Sequence, residues 1–393
     1  MAPGRSIGTR KAIPVLLIAG SILAACADHQ SRAEPAPGAA TTVQVAAGSC
    51  GQGWSHVHGG TQSFTLVNDG DLAVQADLVD PKTGAVYAEA EGIGPGTSRP
   101  IQLTIGRGKY AFTCIPADGT TGHGPTVTVT TGPERGGPAA VPVSPAQLIA
   151  ALRTYNRYVA RGLSTLHSRV GDLQQAAATG DRAASERAWL PAHEAYETLG
   201  AAYDAFGDFA DAIDGIPSGM PRDADHPDLT GFHRIEYLLW HGRSMAQVRQ
   251  SVAKLDHDVA GLQADFPQER IDPNDLALRT HEILEASLQF ELTGAADQGS
   301  GTNLATVDAN ITGTEAVLGS LEPYLRSRYP HLDRVHSDLR RLRSLIERHR
   351  SGAHWTPLEQ LSRTDRERID AAAGAALEDL APIAAIAGVR RTE

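Results

Sequence analysis

The chain has 393 residues, of which 41% are hydrophobic and 21% are charged, and its formal net charge is -11 at pH 7. This length allows two or three domains with buried cores. The acidic balance argues against nucleic acid as a partner, because binding to phosphates requires clustered Lys and Arg.

The N-terminus has the pattern of a bacterial lipoprotein signal peptide. Three basic residues (Arg5, Arg10 and Lys11) precede the apolar run IPVLLIAGSILAA, which is short for a membrane span and suits a secretory signal. The run ends in Leu-Ala-Ala-Cys, which resembles a lipobox, so we expect residues 1–25 to be removed and Cys26 to be lipidated. The alternative is an ordinary signal peptide with Cys26 incidental. Lipidation would anchor an extracytoplasmic protein to the cell membrane.

The amino-acid composition of the remaining chain changes three times, which divides it into four segments. Residues 26–40 are small, polar and contain Pro, which is typical of a flexible tether. Residues 41–132 hold short runs rich in Val, Thr and Ile, separated by turn motifs such as PKTG, and these predict a β-sandwich. Residues 133–145 are rich in Gly and Pro and predict a linker. From 146 to 393, apolar residues recur at helical spacing, which predicts packed antiparallel helical bundles.

The pattern H-E-x-x-E occurs twice in the helical part, as HEAYE from His193 and as HEILE from His281. This repeated motif is consistent with two related helical bundles. Such short matches also arise by chance in Glu-rich helices. For HEILE we expect surface charges on an amphipathic helix, with a metal site as the alternative.

The stretch TGFHRIEYLLWHG places His233 and Glu236 three residues apart within an apolar run. A helix brings such positions onto one face, so an imidazole and a carboxylate would lie side by side, a pair that suits a transition metal. The alternative is a core histidine paired with a nearby Glu. Two more carboxylates precede the pair, Glu197 within one helix and Asp214 at the end of another, and convergence of all four would form a metal site.

These segments resemble the imelysin-like family. GFHRIE matches its G-x-H-x-x-E signature, and AYE at Ala195–Glu197 and AID at Ala212–Asp214 match two further landmarks. The resemblance implies an all-α domain of two four-helix bundles, with a metal site formed by Glu197, Asp214, His233 and Glu236. Three carboxylates and one imidazole favour ferrous or ferric iron, and would also accept Zn or Mn.

The lipobox and the β-rich segment extend the resemblance to iron-uptake lipoproteins of this family that carry an N-terminal cupredoxin-like domain. The implied fold is therefore a small all-β cupredoxin-like sandwich followed by the two bundles. The implied function is the capture of iron outside the cytoplasm and its delivery to a membrane iron permease, with a haem peroxidase as a further partner.

Three possibilities remain open for the cysteines of the β-rich segment. KYAFTC resembles the cupredoxin strand whose cysteine binds copper, so Cys114 with His56, His58 and His123 would form a copper site. The loop after Cys114 lacks the usual nearby histidine, however. An exported protein meets oxidising conditions, so a disulfide between Cys50 and Cys114 is the competing prediction, as are two free thiols.

Other functions compete with iron transport. One is an enzyme, either a metallopeptidase using the HxxE pair or a ferroxidase assisted by copper in the β domain, and another is an envelope scaffold. The sequence contains neither H-E-x-x-H nor H-x-x-E-H, which favours a metal-binding transport component over a peptidase.

Overall fold

The computed structural model describes residues 40–54, 57–134, 140–217, 226, 228–269 and 271–391. The predicted signal peptide, Cys26 and nearly all of the predicted tether lie outside these residues. Among the helices described, none is long and apolar enough to cross a lipid bilayer.

Within the described residues, the strands from Thr41 to Val129 form two sheets. The strands are β1 (Thr41–Gln44), β2 (Gly60–Val67), β3 (Val74–Val79), β4 (Val86–Ile93), β5 (Ser98–Ile105), β6 (Gly108–Pro116), β7 (Gly122–His123) and β8 (Val127–Val129). One sheet has the order β1-β2-β5, and the other has the order β4-β3-β6-β7, with β8 also paired to β6. Apolar residues alternate with polar ones along β2, so that one face of the strand is buried.

The two sheets enclose an aromatic core and a disulfide. Phe64 and Phe112 pack around the Trp54 ring, with ring centres 5.3 and 5.7 Å from it. Beside them, Cys50, in the turn after β1, is bonded to Cys114 of β6. The crosslink spans 64 residues, and in the chain-entropy description it stabilises the fold by about 4 kcal/mol.

The first helical bundle contains α1 (Pro145–Thr179), α2 (Arg182–Glu197), α4 (Gly231–Trp240) and α5 (Met245–Asp265), with the short α3 (Asp208–Asp214) against it. The sequence predicts one continuous helix from Asp181 to Phe206. In the structure, α2 ends at Glu197 and a 3-10 turn follows at Gly200–Phe206. Two local features favour this end: the hydroxyl of Thr198 donates to the carbonyl of Ala195, and Gly200 is a poor helix former.

The second bundle contains α6 (Pro273–Ala286), α7 (Asn303–Leu325), α8 (Leu332–Glu347) and α9 (Arg363–Ala387). A π-helical turn, Ser287–Glu291, extends α6, and a hairpin of β9 (Arg350–Ser351) and β10 (His354–Trp355) joins α8 to α9. The predicted fold class, an all-β sandwich followed by two four-helix bundles, is confirmed.

The bundles meet where α7 packs against α1 and α2. Gly313 of α7 lies so close to the end of α2 that a Cβ there would sit 2.8 Å from the carbonyl oxygen of Thr198. Glycine therefore permits this approach, and the buried end of α2 is held directly against the second bundle.

Candidate metal centre

The last turn of α2 carries a buried imidazole and a buried carboxylate. His193 and Glu197 are four residues apart and share one helix face, with exposed fractions of 3% and 7%. Nε2 of His193 lies 3.4 Å from Oε1 of Glu197. The ring of Trp189, one turn earlier, packs 4.8 Å from the ring of His193. The imidazole is thus buried between an aromatic ring and a carboxylate.

A glycine brings α4 against the end of α3. Gly231, the first residue of α4, has a φ of 76°, and a Cβ there would lie 2.0 Å from the carbonyl oxygen of Ile213. The hydroxyl of Thr230 also donates to the carbonyl of Ala212 at 2.8 Å. This close crossing places His233, near the start of α4, beside Asp214, the last residue of α3.

His193, Asp214 and His233 form a compact set of metal-ligand atoms, drawn from α2, α3 and α4. Oδ1 of Asp214 lies 3.2 Å from Nε2 of His193 and 3.8 Å from Nε2 of His233. One nitrogen or oxygen of each residue lies within 4.8 Å of the others. This separation allows one ion to contact all three residues.

The set also contains polar atoms without hydrogen bonds. The ring nitrogens of His193 and Oδ1 of Asp214 complete none within the part of the chain that the structure describes, although Nε2 and Oδ1 lie 3.2 Å apart. Buried polar atoms rarely stay unpaired, and a cation between the three side chains would satisfy Nε2 and Oδ1 together.

Glu236 is held differently from the other carboxylates. Its Oε1 accepts hydrogen bonds from the backbone N–H groups of Gln298 (3.0 Å) and Ser300 (3.1 Å), in the loop before α7. Its Oε2 lies 3.3 Å from Nδ1 of His233. A neutral His233 that donates from Nδ1 to Glu236 presents the lone pair of Nε2 towards Asp214. This tautomer is assigned from the hydrogen-bond partner.

A cavity of about 340 Å³ adjoins the set, and four acidic side chains line it: Glu197, Asp211, Asp214 and Glu291. Among the described residues that line it, there is no Lys or Arg. Carboxylates grouped in one cavity without Lys or Arg favour the binding of cations. A smaller cavity of about 10 Å³, lined by His193, His233 and Glu236 among others, has room for about one small ion or water molecule.

The carboxylates of the site raise the pKa values of its two imidazoles. Burial lowers the pKa of His193, but Asp214 and then Glu197 outweigh burial and raise this pKa well above its usual range. Burial likewise lowers the pKa of His233, while Asp214 and Glu236 raise it to about 9. Without a metal ion, protonated imidazoles therefore balance the carboxylates.

The carboxylates divide into two groups by pKa. Burial raises the pKa of Asp214 and of Glu236, but their imidazole neighbours outweigh burial and lower it, for Glu236 to about 2. Burial and then the charge of Asp214 raise the pKa of Glu197 to about 7. Burial and then Glu197 raise the pKa of Glu291 to about 7. These raised values reflect carboxylates that lack sufficient positive charge nearby.

Comparison with known proteins places the helical part in a family. The imelysin family model matches residues 151–383. The chain belongs to the imelysin family. The iron uptake system component EfeO of Yersinia pestis is 24% identical over 336 residues, covering 85% of this chain and 87% of the relative. EfeO of Escherichia coli strain K12 is 23% identical over 334 residues, with the same coverage.

The structure of this imelysin-family chain brings together all four residues that the sequence predicts as ligands: Glu197, Asp214, His233 and Glu236. Their role in binding a metal stays a prediction. Sequence reasoning missed His193, although HEAYE contains it at helical spacing from Glu197, and it missed Glu291. The signal for His193 was its position four residues after a tryptophan and four before a predicted ligand.

The second H-E-x-x-E segment lies on a partly exposed face of α6. The side chain of His281 is 21% exposed, and its Nε2 lies 3.9 Å from Oε2 of Glu285, which is 49% exposed. Glu282 is paired with Arg279 at 2.6 Å, and Arg279 also contacts Asp204. These contacts agree with the expected surface charges on an amphipathic helix.

The copper alternative for the β domain does not hold. A type 1 site needs a cysteine thiolate, and Cys114 is bonded to Cys50 instead. His123 pairs with Thr113, the neighbour of Cys114, so its side chain lies on the opposite face of the sheet, and it is exposed. His58 is also exposed, and His56 lies outside the described residues. These histidines therefore have no thiolate to complete a copper site.

Proposed function

We propose that this protein binds iron outside the cytoplasm and delivers it to a membrane iron permease. The observation that carries the proposal is the buried cluster of His193, Asp214 and His233, whose ligand atoms lie within 4.8 Å of one another. The relatives named as iron uptake components, matched over most of the chain, favour iron as the cargo.

The donor set suits iron. Two imidazoles and one carboxylate, with further coordination positions left open, are typical of iron(II) sites, and the same set accepts Mn and Zn in vitro. The cluster contains no thiolate, which disfavours copper(I). Coordination positions left to water would help the protein release the ion to its partner.

Each polar residue of the cluster has its own role in this proposal. His193, Asp214 and His233 bind the ion directly. Glu197, with Oε1 at 3.4 Å from Nε2 of His193, adds negative charge at the cavity. Glu236 orients His233 by accepting its Nδ1–H, and we therefore reassign it from the predicted ligand to a positioning residue.

The HxxE pair does not offer the base that peptide hydrolysis needs. A hydrolase needs a carboxylate or water that acts as a base near neutral pH. Glu236 is the acid of the HxxE pair, but two backbone amides and His233 hold its carboxylate, and its pKa is about 2. That carboxylate is a weak base, and its lone pairs are already in use.

The same proposal places the chain at the membrane. A lipid on Cys26 would keep the iron site close to the permease, and a haem peroxidase would act in the same system. These partners follow from the family resemblance and from the lipobox-like LAAC.

A calorimetric titration tests the proposal. The full chain is titrated with Fe²⁺ under anaerobic conditions, alongside His193→Ala and the matched control His281→Ala, from the second H-E-x-x-E segment. We expect wild type and the control to bind alike, and His193→Ala to lose on the order of 100-fold or more in affinity, since even residues that only orient ligands contribute 10- to 100-fold. Equal affinity of His193→Ala and wild type would defeat the site assignment.

Uptake in cells tests delivery separately from binding. Cells that lack this protein, complemented with wild type, should accumulate radioactive iron from low-iron medium. Cells complemented with His193→Ala should accumulate no more than uncomplemented cells. Full uptake with this variant would rule out delivery through the site.

A further inference from the structure

The outer face of the second sheet is covered, although it points away from the core of the sandwich. Side chains alternate along β3, and those that face the core are Val74, Ala76 and Leu78. The three side chains that point the other way, Gln75, Asp77 and Val79, are also buried. The second face of an antiparallel sheet is commonly solvated, so its burial here requires a contact from outside the sandwich.

This outer face carries two carboxylates that oppose each other. Asp77 of β3 and Glu89 of β4 are partners in the antiparallel register, and Nε2 of Gln75 donates to the first at 3.1 Å and to the second at 3.0 Å. Like charges directly opposite each other destabilise a sheet. Burial is the main cause that raises the pKa of Asp77, to about 6, while the hydrogen bond from Gln75 and the charge of Arg390 lower it. The cation that acts on Asp77 therefore belongs to another part of the chain.

This cation comes from the C-terminal segment that follows α9. Nε of Arg390 lies 3.0 Å from Oε2 of Glu89, and the two side chains are 15% and 23% exposed. The guanidinium of Arg390 also donates to the carbonyl of Ala385 in α9. The side chain of Arg391 donates to the carbonyl of Pro116, the last residue of β6. Two consecutive side chains of one segment therefore contact two strands of the same sheet.

The backbone of the same segment is paired with the linker. Val389 forms a parallel bridge with Val143, and the N–H of Arg390 donates to the carbonyl of Val143 at 3.2 Å. Three residues earlier in the linker, Ala140 forms an antiparallel bridge with Val86, the first residue of β4, through hydrogen bonds of 2.7 and 2.9 Å. The start and the end of the helical domain therefore meet the sandwich at one joint.

Among the described residues, packing between strands and helices contributes little to this joint, since no strand from β1 to β8 packs extensively against a helix. Domains joined by a small, polar contact move relative to each other by default, whereas a large hydrophobic interface would fix them. A fixed orientation of the sandwich therefore depends on the linker and on the contacts of the C-terminal segment.

We propose that the segment Val389–Arg391 is a clasp that fixes the sandwich to the helical domain, and that the ion pair between Arg390 and Glu89 keeps the clasp in place. With the pair intact, the two domains keep one orientation. When the pair is lost, the outer face of the second sheet separates from the clasp, and the sandwich moves on its linker. The clasp is independent of the candidate metal centre, because none of these residues lines either cavity there.

Substitution of Arg390 by Met removes the charge and keeps an unbranched side chain, so each domain should still fold. Glu89→Gln removes the other charge of the pair. The matched control is Arg363→Met, which breaks an ion pair of 2.7 Å with Glu367 at the opposite end of α9. Amide hydrogen exchange is measured on the full chain of wild type and of each variant.

We expect Arg390→Met and Glu89→Gln to speed the exchange of the amides of Val86 and Ala140 about 10-fold, because a hydrogen-bonded charge pair no longer holds the joint together. Arg363→Met should leave this exchange unchanged. The amides of β2, in the other sheet, report on the sandwich itself and should exchange as in wild type. Unchanged exchange at Val86 and Ala140 in Arg390→Met would overturn the proposal. Faster exchange in β2 would overturn it too, because Arg390 would then stabilise the sandwich and not the joint.

The double variant with Arg390→Met and Glu89→Gln tests the pair directly. Two residues that act through one contact have non-additive effects, so the double variant should exchange at the rate of either single variant. Effects that multiply, to about 100-fold, would show that the two residues act separately and would overturn the role of the ion pair.

Small-angle X-ray scattering measures the orientation of the domains. The maximum dimension of Arg390→Met should exceed that of wild type and of Arg363→Met, because domains released from each other sample extended arrangements. Identical scattering curves for wild type and Arg390→Met would contradict release of the sandwich.

Discussion

The two H-E-x-x-E segments of this chain place one sequence pattern in two different environments. In α2, His193 is 3% exposed, and its Nε2 lies 3.4 Å from Glu197 and 3.2 Å from Asp214. In α6, His281 is 21% exposed, and its Nε2 lies 3.9 Å from Glu285, a half-exposed residue. The local spacing of imidazole and carboxylate is the same, yet only the first segment joins a buried cluster.

The two histidines differ in burial because different residues pack around α2 and α6. Trp189 and α4 cover His193 and bring a second imidazole, His233, to a ring distance of 5.6 Å. In α6 an arginine, Arg279, neutralises Glu282 directly. A carboxylate paired with arginine has little reason to bind a metal, whereas carboxylates grouped with imidazoles and without Lys or Arg favour one.

The largest effect should come from Asp214, whose Oδ1 is the carboxylate oxygen close to both buried imidazoles. We expect Asp214→Asn to lower the affinity for Fe²⁺ on the order of 1,000-fold, because it removes a ligand and a charge together. Glu282→Gln, in the second segment, should leave the affinity unchanged. Calorimetry measures both, and equal losses in the two variants would abolish the distinction between the segments.

The stability of the iron-free protein should depend on pH through His233. Its folded-state pKa of about 9 lies above the ordinary value of 6.5, so its protonated ring contributes fully below pH 6.5 and this contribution is lost as pH rises through 9. The free energy of unfolding should therefore fall by up to about 3 kcal/mol between pH 6.5 and 9. Urea denaturation across this range measures the slope.

A variant in the buried cluster and a variant in the second H-E-x-x-E segment give opposite controls for this slope. His233→Gln removes one of the two titrating imidazoles of the cluster and should reduce the slope, whereas His281→Ala should preserve it. A slope that survives His233→Gln unchanged would show that the pH dependence arises elsewhere.

A smaller effect is expected from Glu236→Gln. The amide cannot both accept the hydrogen bonds from Gln298 and Ser300 and accept one from Nδ1 of His233, so His233 would lose its fixed tautomer. We expect a loss of about 10- to 100-fold in Fe²⁺ affinity. Nitrogen NMR of His233 in the iron-free protein above pH 9, where the ring is neutral, should show the change in tautomer. An unchanged tautomer with a large loss of affinity would instead make Glu236 a direct ligand.

Much of the architecture was accessible from local sequence. Runs rich in Val, Thr and Ile predict the sandwich, and apolar residues at helical spacing predict the bundles, because each pattern depends on residues only a few positions apart. Local pattern was less informative about Cys50 and Cys114. The disulfide and the copper site were both open, and only the packing of β6 against the turn after β1 brings the two sulfurs together.

The residues of the candidate metal centre were predicted in part, and their binding of a metal stays a prediction. His233, Glu236, Glu197 and Asp214 carried recognisable motifs, and they do meet in the structure. Glu291 lies in no recognisable motif. It belongs to a π-helical turn, and such a turn breaks the helical spacing of apolar residues by which a buried helix face is identified from sequence. His193 lay within a visible pattern, but the same pattern recurs at His281, so the pattern alone did not distinguish a buried imidazole from a surface one.

The sequence by itself determined the order of strands and helices and the pairing of an imidazole with a carboxylate on α4, because these follow from spacing along one segment. Only the tertiary structure decided which H-E-x-x-E segment is buried, which oxygens of Glu236 are occupied and which residue of the second bundle lies at the cavity. These features depend on contacts between residues of different elements, such as Glu236 with Gln298, which are 62 positions apart. Such contacts depend on how the helices pack, and no single segment encodes that.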